Sequence, residues 1–420
     1  MFDFALRDSS FSDREKSLAW WASMRYWFKE KGYILYEYDK DQDGRPTSEF
    51  EGMTQFPYAY PVAGPSTNHT SKPPFMSIFH VRTIFAQDLQ GRHVVIKPIP
   101  NGSEEYKILR FLLENFDWSD SARFSCVIPV LDLLRYEEQW FAIMPRWGEN
   151  HTAPWYATCS QVLDAIRCYL RGLTFLHEHR IFHRDLDSQN LYVNHFCCIQ
   201  CLYDNPARHE FRKQGLAKYA IADFNLSIMF DANTNPRDCR LSWKEAYGIY
   251  DQPYEVNYAQ LDFNPFAYDV AALGIHFCHK FRHLSAEIPL LAPLLGGMIT
   301  YDVGQRFTAS EALAFLDENQ QFLTEEQFSA SPSMKSDHPD ALALSWRDYN
   351  MWASLSPQQI ARWGRYRETK PNIFMRYVVN WLCCRRWGWA LVLHTRQIFR
   401  YASSLASRLF GQPSQKLRND

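Results

Sequence analysis

The sequence predicts an α+β chain in which a strand-rich first half precedes a helix-rich second half. Two observations carry that expectation. Short β-patterned runs fall before Trp147: GYILYEY from Gly32, HVVIK from His93, CVIPVLDLL from Cys126 and WFAIMP from Trp140. Beyond Trp147, apolar residues recur at helical spacing over 160–179, 267–281 and 309–316. With 420 residues and 46% hydrophobic content, the chain has the apolar surface for a substantial core.

In chain order, residues 1–71 read as an extension: a helix over 14–32, with Leu18, Trp21, Met24, Trp27 and Phe28 on one stripe, then the GYILYEY strand. Residues 39–74, rich in Pro, Gly, Ser and Thr, predict an irregular connection. The strand-rich unit spans 72–147 and includes a helix over 104–114; the helical unit spans 148–328. Residues 329–345, with SASPSMKSDHPD, read as a linker, and 346–420 as a separate basic, aromatic segment.

The net charge of -2 gives no bias toward nucleic acid, yet it conceals a split. Nine Lys and Arg and no Asp or Glu lie between Thr369 and Asn419, so residues 1–368 carry -10. Acidic residues near the start, in place of a basic flank and apolar run, predict an intracellular, cytoplasmic chain whose ten cysteines are reduced. Cys197, Cys198 and Cys201, near His195 and His209, lack the second ligand pair of a structural zinc site and read as loop thiols.

The most specific pattern is His183-Arg184-Asp185-Leu186-Asp187-Ser188-Gln189-Asn190, just after the apolar pair Ile181-Phe182. A carboxylate and an amide five residues apart let Asp185 orient a hydroxyl nucleophile while Asn190 reaches a metal ion. Upstream stands Val94-Val95-Ile96-Lys97, with Glu105 in a helical segment after it; downstream stands Ile221-Ala222-Asp223-Phe224-Asn225. Any one of these residues alone is an ordinary solvated charge, but their order and spacing together resemble the eukaryotic protein kinases. The resemblance extends through Pro253-Tyr254-Glu255, Asp269 and Arg306-Phe307, covering about Phe75 to Phe322. It is closest to a divergent fungal group of kinase-like proteins, through Gly32-Tyr33-Ile34-Leu35-Tyr36, Lys218-Tyr219-Ala220 and Asn264-Pro265-Phe266.

The resemblance implies a two-lobed fold that binds ATP and magnesium. Lys97, anchored by Glu105, would hold the phosphates, Asn190 and Asp223 the metal, and Asp185 the substrate hydroxyl. Val81, Met144 and Trp147 would enclose the adenine. His183, Arg184, Phe224, Glu255, Asp269 and Arg306 would be structural, with Glu255 and Arg306 as a buried ion pair. Arg184 implies control by phosphate on Thr234, Ser242, Tyr247 or Tyr250. The substrate would be Ser, Thr or Tyr of an unknown protein. A pseudokinase scaffold is the alternative, and a small-molecule phosphotransferase a third reading.

Several features depart from the family. No glycine occurs between Lys72 and Gln90, where a glycine-rich loop would cover the phosphates, although a β-turn can still form a roof. Asp187 stands where a lysine is usual, and reversed charge is expected to oppose a developing anion. Asn225 replaces glycine and is expected to tolerate a positive φ there. Residues 197–215 read as a surface insertion. In the basic segment, Phe374, Tyr377, Val378, Trp381 and Leu382 fall at helical spacing. Docking on the acidic body is the expectation, with a peripheral membrane contact through 369–411 as its alternative.

Overall fold

The computed structural model describes residues 1–6, 10–38, 43–45, 55–61, 77–78, 80–118, 120–197, 203–246 and 251–410. It is mixed α+β. Strands β1 (Tyr33–Leu35), β2 (Ile84–Asp88), β3 (His93–Pro100), β4 (Asp132–Tyr136) and β5 (Gln139–Pro145) form one antiparallel sheet in the order β1-β2-β3-β5-β4.

Because successive side chains on a strand point to opposite faces, the sheet separates two cores. Val94 and Ile96 of β3 and Phe141 and Ile143 of β5 pack with Trp21, Met24 and Phe28. These three come from helices α1 (Phe11–Ser23) and α2 (Arg25–Glu30). The expected single helix is therefore two, broken at Met24 without a Gly or Pro to mark the break. Ile99, Ala142 and Met144, on the other face, join the larger core of the helical half. Lys97 shares that second face.

Of CVIPVLDLL, only the end is a sheet strand. Cys126 takes φ +60°, and its carbonyl and the Ile128 N–H pair with Ile221 at 3.0 and 2.9 Å. This segment thus stitches the sheet to the helical half. Helix α3 (Glu104–Asn115) is capped by Ser103, whose hydroxyl accepts from Tyr106 N–H. Its buried stripe, Glu105, Ile108, Leu109 and Leu112, has helical spacing, so packing of the apolar residues carries the Glu105 carboxylate inward.

The helical half is built around α4 (Cys159–Glu178), with α5 (Pro206–Lys213), α6 (Pro265–Phe281), α7 (Leu291–Ile299) and α8 (Ala309–Asn319). Four sequence expectations need correction here. The stretch read as a surface insertion contains α5, whose Arg208, Phe211 and Arg212 are buried. Arg208 donates to the carbonyls of Ala153 and His195, and Arg212 to those of Pro154 and His151, both at 2.7 Å. The stretch read as a linker is packed down: Cys159 N–H donates to Ala330 O at 2.9 Å, Trp155 Nε1 to Pro332 O at 2.9 Å, and buried Arg282 to the carbonyls of Ala341 and Leu344. Residues 346–369 are not separate either, since Trp346, Trp352 and Trp363 belong to the main core. Within 39–74, the connection read as irregular, two short strands are tied down among the described residues: Asp43–Arg45 pairs with Glu37–Tyr38, and Tyr60–Pro61 with His195–Phe196.

Candidate functional site

Between the sheet and the helical half lies a cavity of about 610 Å³, within the usual range for a small-molecule site. Lys97 reaches into it from β3, and Nζ lies 2.5 Å from Glu105 Oε1 and 2.7 Å from Asp223 Oδ1. Burial alone would disfavour the ammonium, but Asp223 and Glu105 outweigh it and hold the Lys97 pKa above its ordinary value. For Asp223, burial acts upward and the Lys97 charge prevails, so its carboxyl titrates below the usual range. Burial dominates at Glu105 and raises it despite Lys97. The cation is thus shared between one partly exposed carboxylate and one buried anchor.

The loop carrying Asp185 and Asn190 is fixed from behind. Asp269 of α6, fully buried, accepts from the backbone N–H groups of His183 and Arg184 at 2.7 and 2.9 Å. His177 Nε2 lies 3.2 Å from the same carboxylate. Arg184 stands at φ +73° and Asp223 at φ +69°, left-handed conformations that cost free energy in most side chains and persist where surroundings over-determine them. Asn190 Nδ2 donates to the Asp185 carbonyl at 2.8 Å and to Asp185 Oδ2 at 3.0 Å. That orients the amide of Asn190, which lines the cavity together with Asp223. Asp185 titrates above its usual range, chiefly through burial, with His183 and Asn190 opposing the shift.

Phe224 is buried against the His183 ring, 5.6 Å between centroids, and His183 Nε2 lies 3.1 Å from Ala222 O. Arg306 meets Glu255 with both guanidinium nitrogens, at 2.7 and 3.0 Å, in full burial. Arg184 is engaged by Glu245 at 2.6 Å, a carboxylate where the sequence led us to expect a phosphate. Thr234 and Ser242 are elsewhere on the same segment, and Tyr247 and Tyr250 lie outside the described residues.

Lys97, Glu105, Met144, Trp147, Asn190, Asp223 and Phe224 all line the one cavity, and Asp185 adjoins it through Asn190. Val81 does not line it. The Val81 side chain is buried under the sheet with α1, and Ser17 Oγ donates to its carbonyl at 2.6 Å. The turn His80–Thr83 that results brings His80, Arg82 and Thr83 to the cavity instead. Sequence reasoning took Val81 from that segment and missed Arg82, because the direction of its side chains depends on the Ser17 contact that fixes the turn. One more correction follows. Asn225 is not the left-handed residue of its segment; Asp223 is, and Asn225 N–H donates to Asp223 Oδ1 at 3.2 Å. The Asp187 carboxylate accepts from Ser188 N–H and caps the tight turn Ser188–Asn190 that presents Asn190, while its charge is among those that raise Asp185.

No cluster of three or more His, Cys, Asp or Glu able to hold a metal occurs among the described residues. His195 instead accepts from Arg208 Nε through Nδ1 at 3.1 Å, and Cys198 and Cys201 lie outside the described residues. Compared with protein-family models and with curated proteins, the chain gives no match.

Proposed function

We propose that the chain is a two-lobed protein-kinase-like protein that binds Mg-ATP and transfers its γ-phosphoryl group to a protein hydroxyl. The observation that carries this reading is the Lys97 ammonium held between Glu105 and Asp223 on the wall of the 610 Å³ cavity. Val95, Ile128, Met144 and Trp147 supply an apolar wall suited to a purine, and Lys97 and Arg82 supply cations for the phosphates. Asn190 Oδ1 and Asp223 are hard oxygen donors that fit magnesium, which when bound neutralises phosphate charge. Asp185 then orients the substrate hydroxyl and takes its proton as that oxygen bonds to the γ-phosphorus. The bond from that phosphorus to the bridging oxygen breaks, and ADP leaves.

A pseudokinase scaffold is the second reading. What favours it is the roof, a glycine-free turn clamped by Ser17, which offers side chains rather than close backbone N–H groups to phosphate. Two measurements separate the readings. In thermal melts, Mg-ATP at a hundred times its dissociation constant is expected to stabilise by ~2.7 kcal/mol, less in Arg82→Ala and not at all in Lys97→Met. An unchanged melt in millimolar Mg-ATP removes both nucleotide claims. With radiolabelled ATP, transfer is expected in the wild type and lost in Asp185→Asn, whose ATP stabilisation persists. Binding without transfer in the wild type leaves the scaffold.

A further inference from the structure

The basic end of the chain forms a helix-turn-helix that rests on the helical half by one side only. Its first helix comprises a wide-turned part, Met375–Val379, and a last turn, Asn380–Cys383; its second, α9, runs Arg386–Phe410. At 100° per residue, Trp389, Leu393, Arg396 and Arg400 share one face of α9. That face is the docked one. Trp389 meets Trp243 at 4.9 Å between ring centroids, Leu393 is buried, and Arg400 reaches Asp262 at 2.6 Å.

A helix docked on one face ordinarily turns polar residues outward on the other. Here the side of α9 opposite the docked face carries Trp387, Leu391 and Ile398, 58%, 53% and 68% exposed. Phe374, just before the preceding helix, and Tyr377 and Trp381 within it are exposed as well. Trp381 and Trp387 lie 6.1 Å apart, which joins the two sets into one stripe. Arg385 lies over the Trp381 ring at 3.9 Å, with exposed Arg386 beside it.

We propose that this stripe lies flat on an anionic lipid bilayer surface. Charge selects that occupant. Of the segment's nine cations Arg400 is engaged by Asp262 and Arg396 lies on the docked face, but Arg385 and Arg386 stand beside the stripe with no carboxylate between Thr369 and Asn419 to offset them, so a second copy of the same face would set like charge against like. Tryptophan and tyrosine prefer the headgroup level, where cations beside them meet anionic phosphates. No helix among the described residues is long and apolar enough to cross a membrane, so the geometry is peripheral. Docking through Trp389 and Arg400 then presents the cavity-bearing body at a fixed orientation to that surface.

The test is co-sedimentation of the intact chain with vesicles at low salt. Expected is pelleting with phosphatidylserine–phosphatidylcholine vesicles and not with phosphatidylcholine alone. Removing Arg386 as Arg386→Ala is expected to weaken binding about fivefold. The double variant Trp381→Ser/Trp387→Ser is expected to abolish binding while its melting temperature stays at the wild-type value, because both rings are exposed. Three results overturn the proposal: an intact chain that stays in solution with phosphatidylserine vesicles, binding that survives the double substitution, or dimerisation without lipid that the double substitution abolishes.

Discussion

The cavity and α5 both bury positive charge, and they do it in opposite ways. Lys97 is balanced by the carboxylates of Glu105 and Asp223. Arg208 and Arg212 form no ion pair among the described residues and bond instead to carbonyls of 151–154 and 195. A carboxylate partner can be exchanged: on the proposed function Lys97 turns to a phosphate and Asp223, a third exposed, to a cation. A guanidinium forked onto backbone carbonyls has no competitor, and its rigid geometry holds the chain at several points at once. One arrangement therefore makes a site and the other a rivet.

The sharpest way to break this comparison is Arg208→Met. If the rivet holds α5 to the body, the substitution orphans buried carbonyls of Ala153 and His195 and is expected to cost about 3–5 kcal/mol. Urea denaturation reads this directly, and a loss below about 1 kcal/mol would return α5 to the status of a tolerated surface element. Lys97→Met should cost less, about 1–3 kcal/mol. Burial already raises Glu105 and eases its neutralisation, and Asp223 retains solvent. Its larger effect is on ligand, through loss of Mg-ATP stabilisation. A Lys97 variant as damaging to stability as the Arg208 variant would show that the cavity charges are structural.

A smaller effect belongs to Asp187. As the cap of the Ser188–Asn190 turn it should be replaceable by Asn or Ser at little cost, while Asp187→Lys loses about 1 kcal/mol of stability and misplaces Asn190. Phosphate transfer that rises in Asp187→Lys would restore the view of Asp187 as a misplaced charge.

The difference between the two regions also explains what was legible in the sequence. The cavity residues were legible because the loop from His183 to Asn190 and the segments around Lys97, Glu105 and Asp223 stand in an order that resembles the protein kinases, and because Lys97 and Glu105 ride on a strand and a helix whose periodicity is visible. The Glu255–Arg306 pair was legible only through the resemblance to the protein kinases, which implied it. The rivets were not, because Arg208, Arg212 and Arg282 bind main-chain carbonyls, which every residue has and no residue type marks. Excess length between Asn190 and Asp223 over the kinase pattern made α5 look like a loop, and composition made residues 329–345 look like a linker; their anchors lie elsewhere in the chain. Val81 failed for a related reason: its direction is set by Ser17, 64 residues away. Asn225 was judged as a glycine substitute, whereas the left-handed backbone falls on Asp223.

Acid separates the two regions by the pH at which each fails. Around the rivets, burial and then the Arg208 and Arg212 charges hold His195 near a pKa of about 3, and burial followed by Lys280 does the same for His276. His151 is depressed by burial and by His276. Because the folded values lie below the unfolded value of about 6.5, the unfolded chain binds more protons as pH falls through 6.5, and stability is lost in that direction. Between pH 7 and 6 each of these three histidines is expected to remove about 0.7 kcal/mol, about 2 kcal/mol together. Asp223 also has a depressed folded pKa, but its unfolded reference is that of a carboxylate, about 3.9, so its contribution persists until pH falls past that value. Denaturation at pH 7 and pH 6 therefore reads the histidines and leaves the cavity carboxylate silent. Replacing one neutral histidine with an uncharged residue, as His276→Gln, is expected to reduce that loss by about 0.7 kcal/mol, about a fifth of the histidine slope once His93 and His283, held by burial at about 3 and about 4, are counted with these three, whatever its effect on absolute stability. An unchanged slope in that variant would mean that the ring is not held neutral, and the contrast between an exchangeable charge pair and a locked cation would lose its clearest signature.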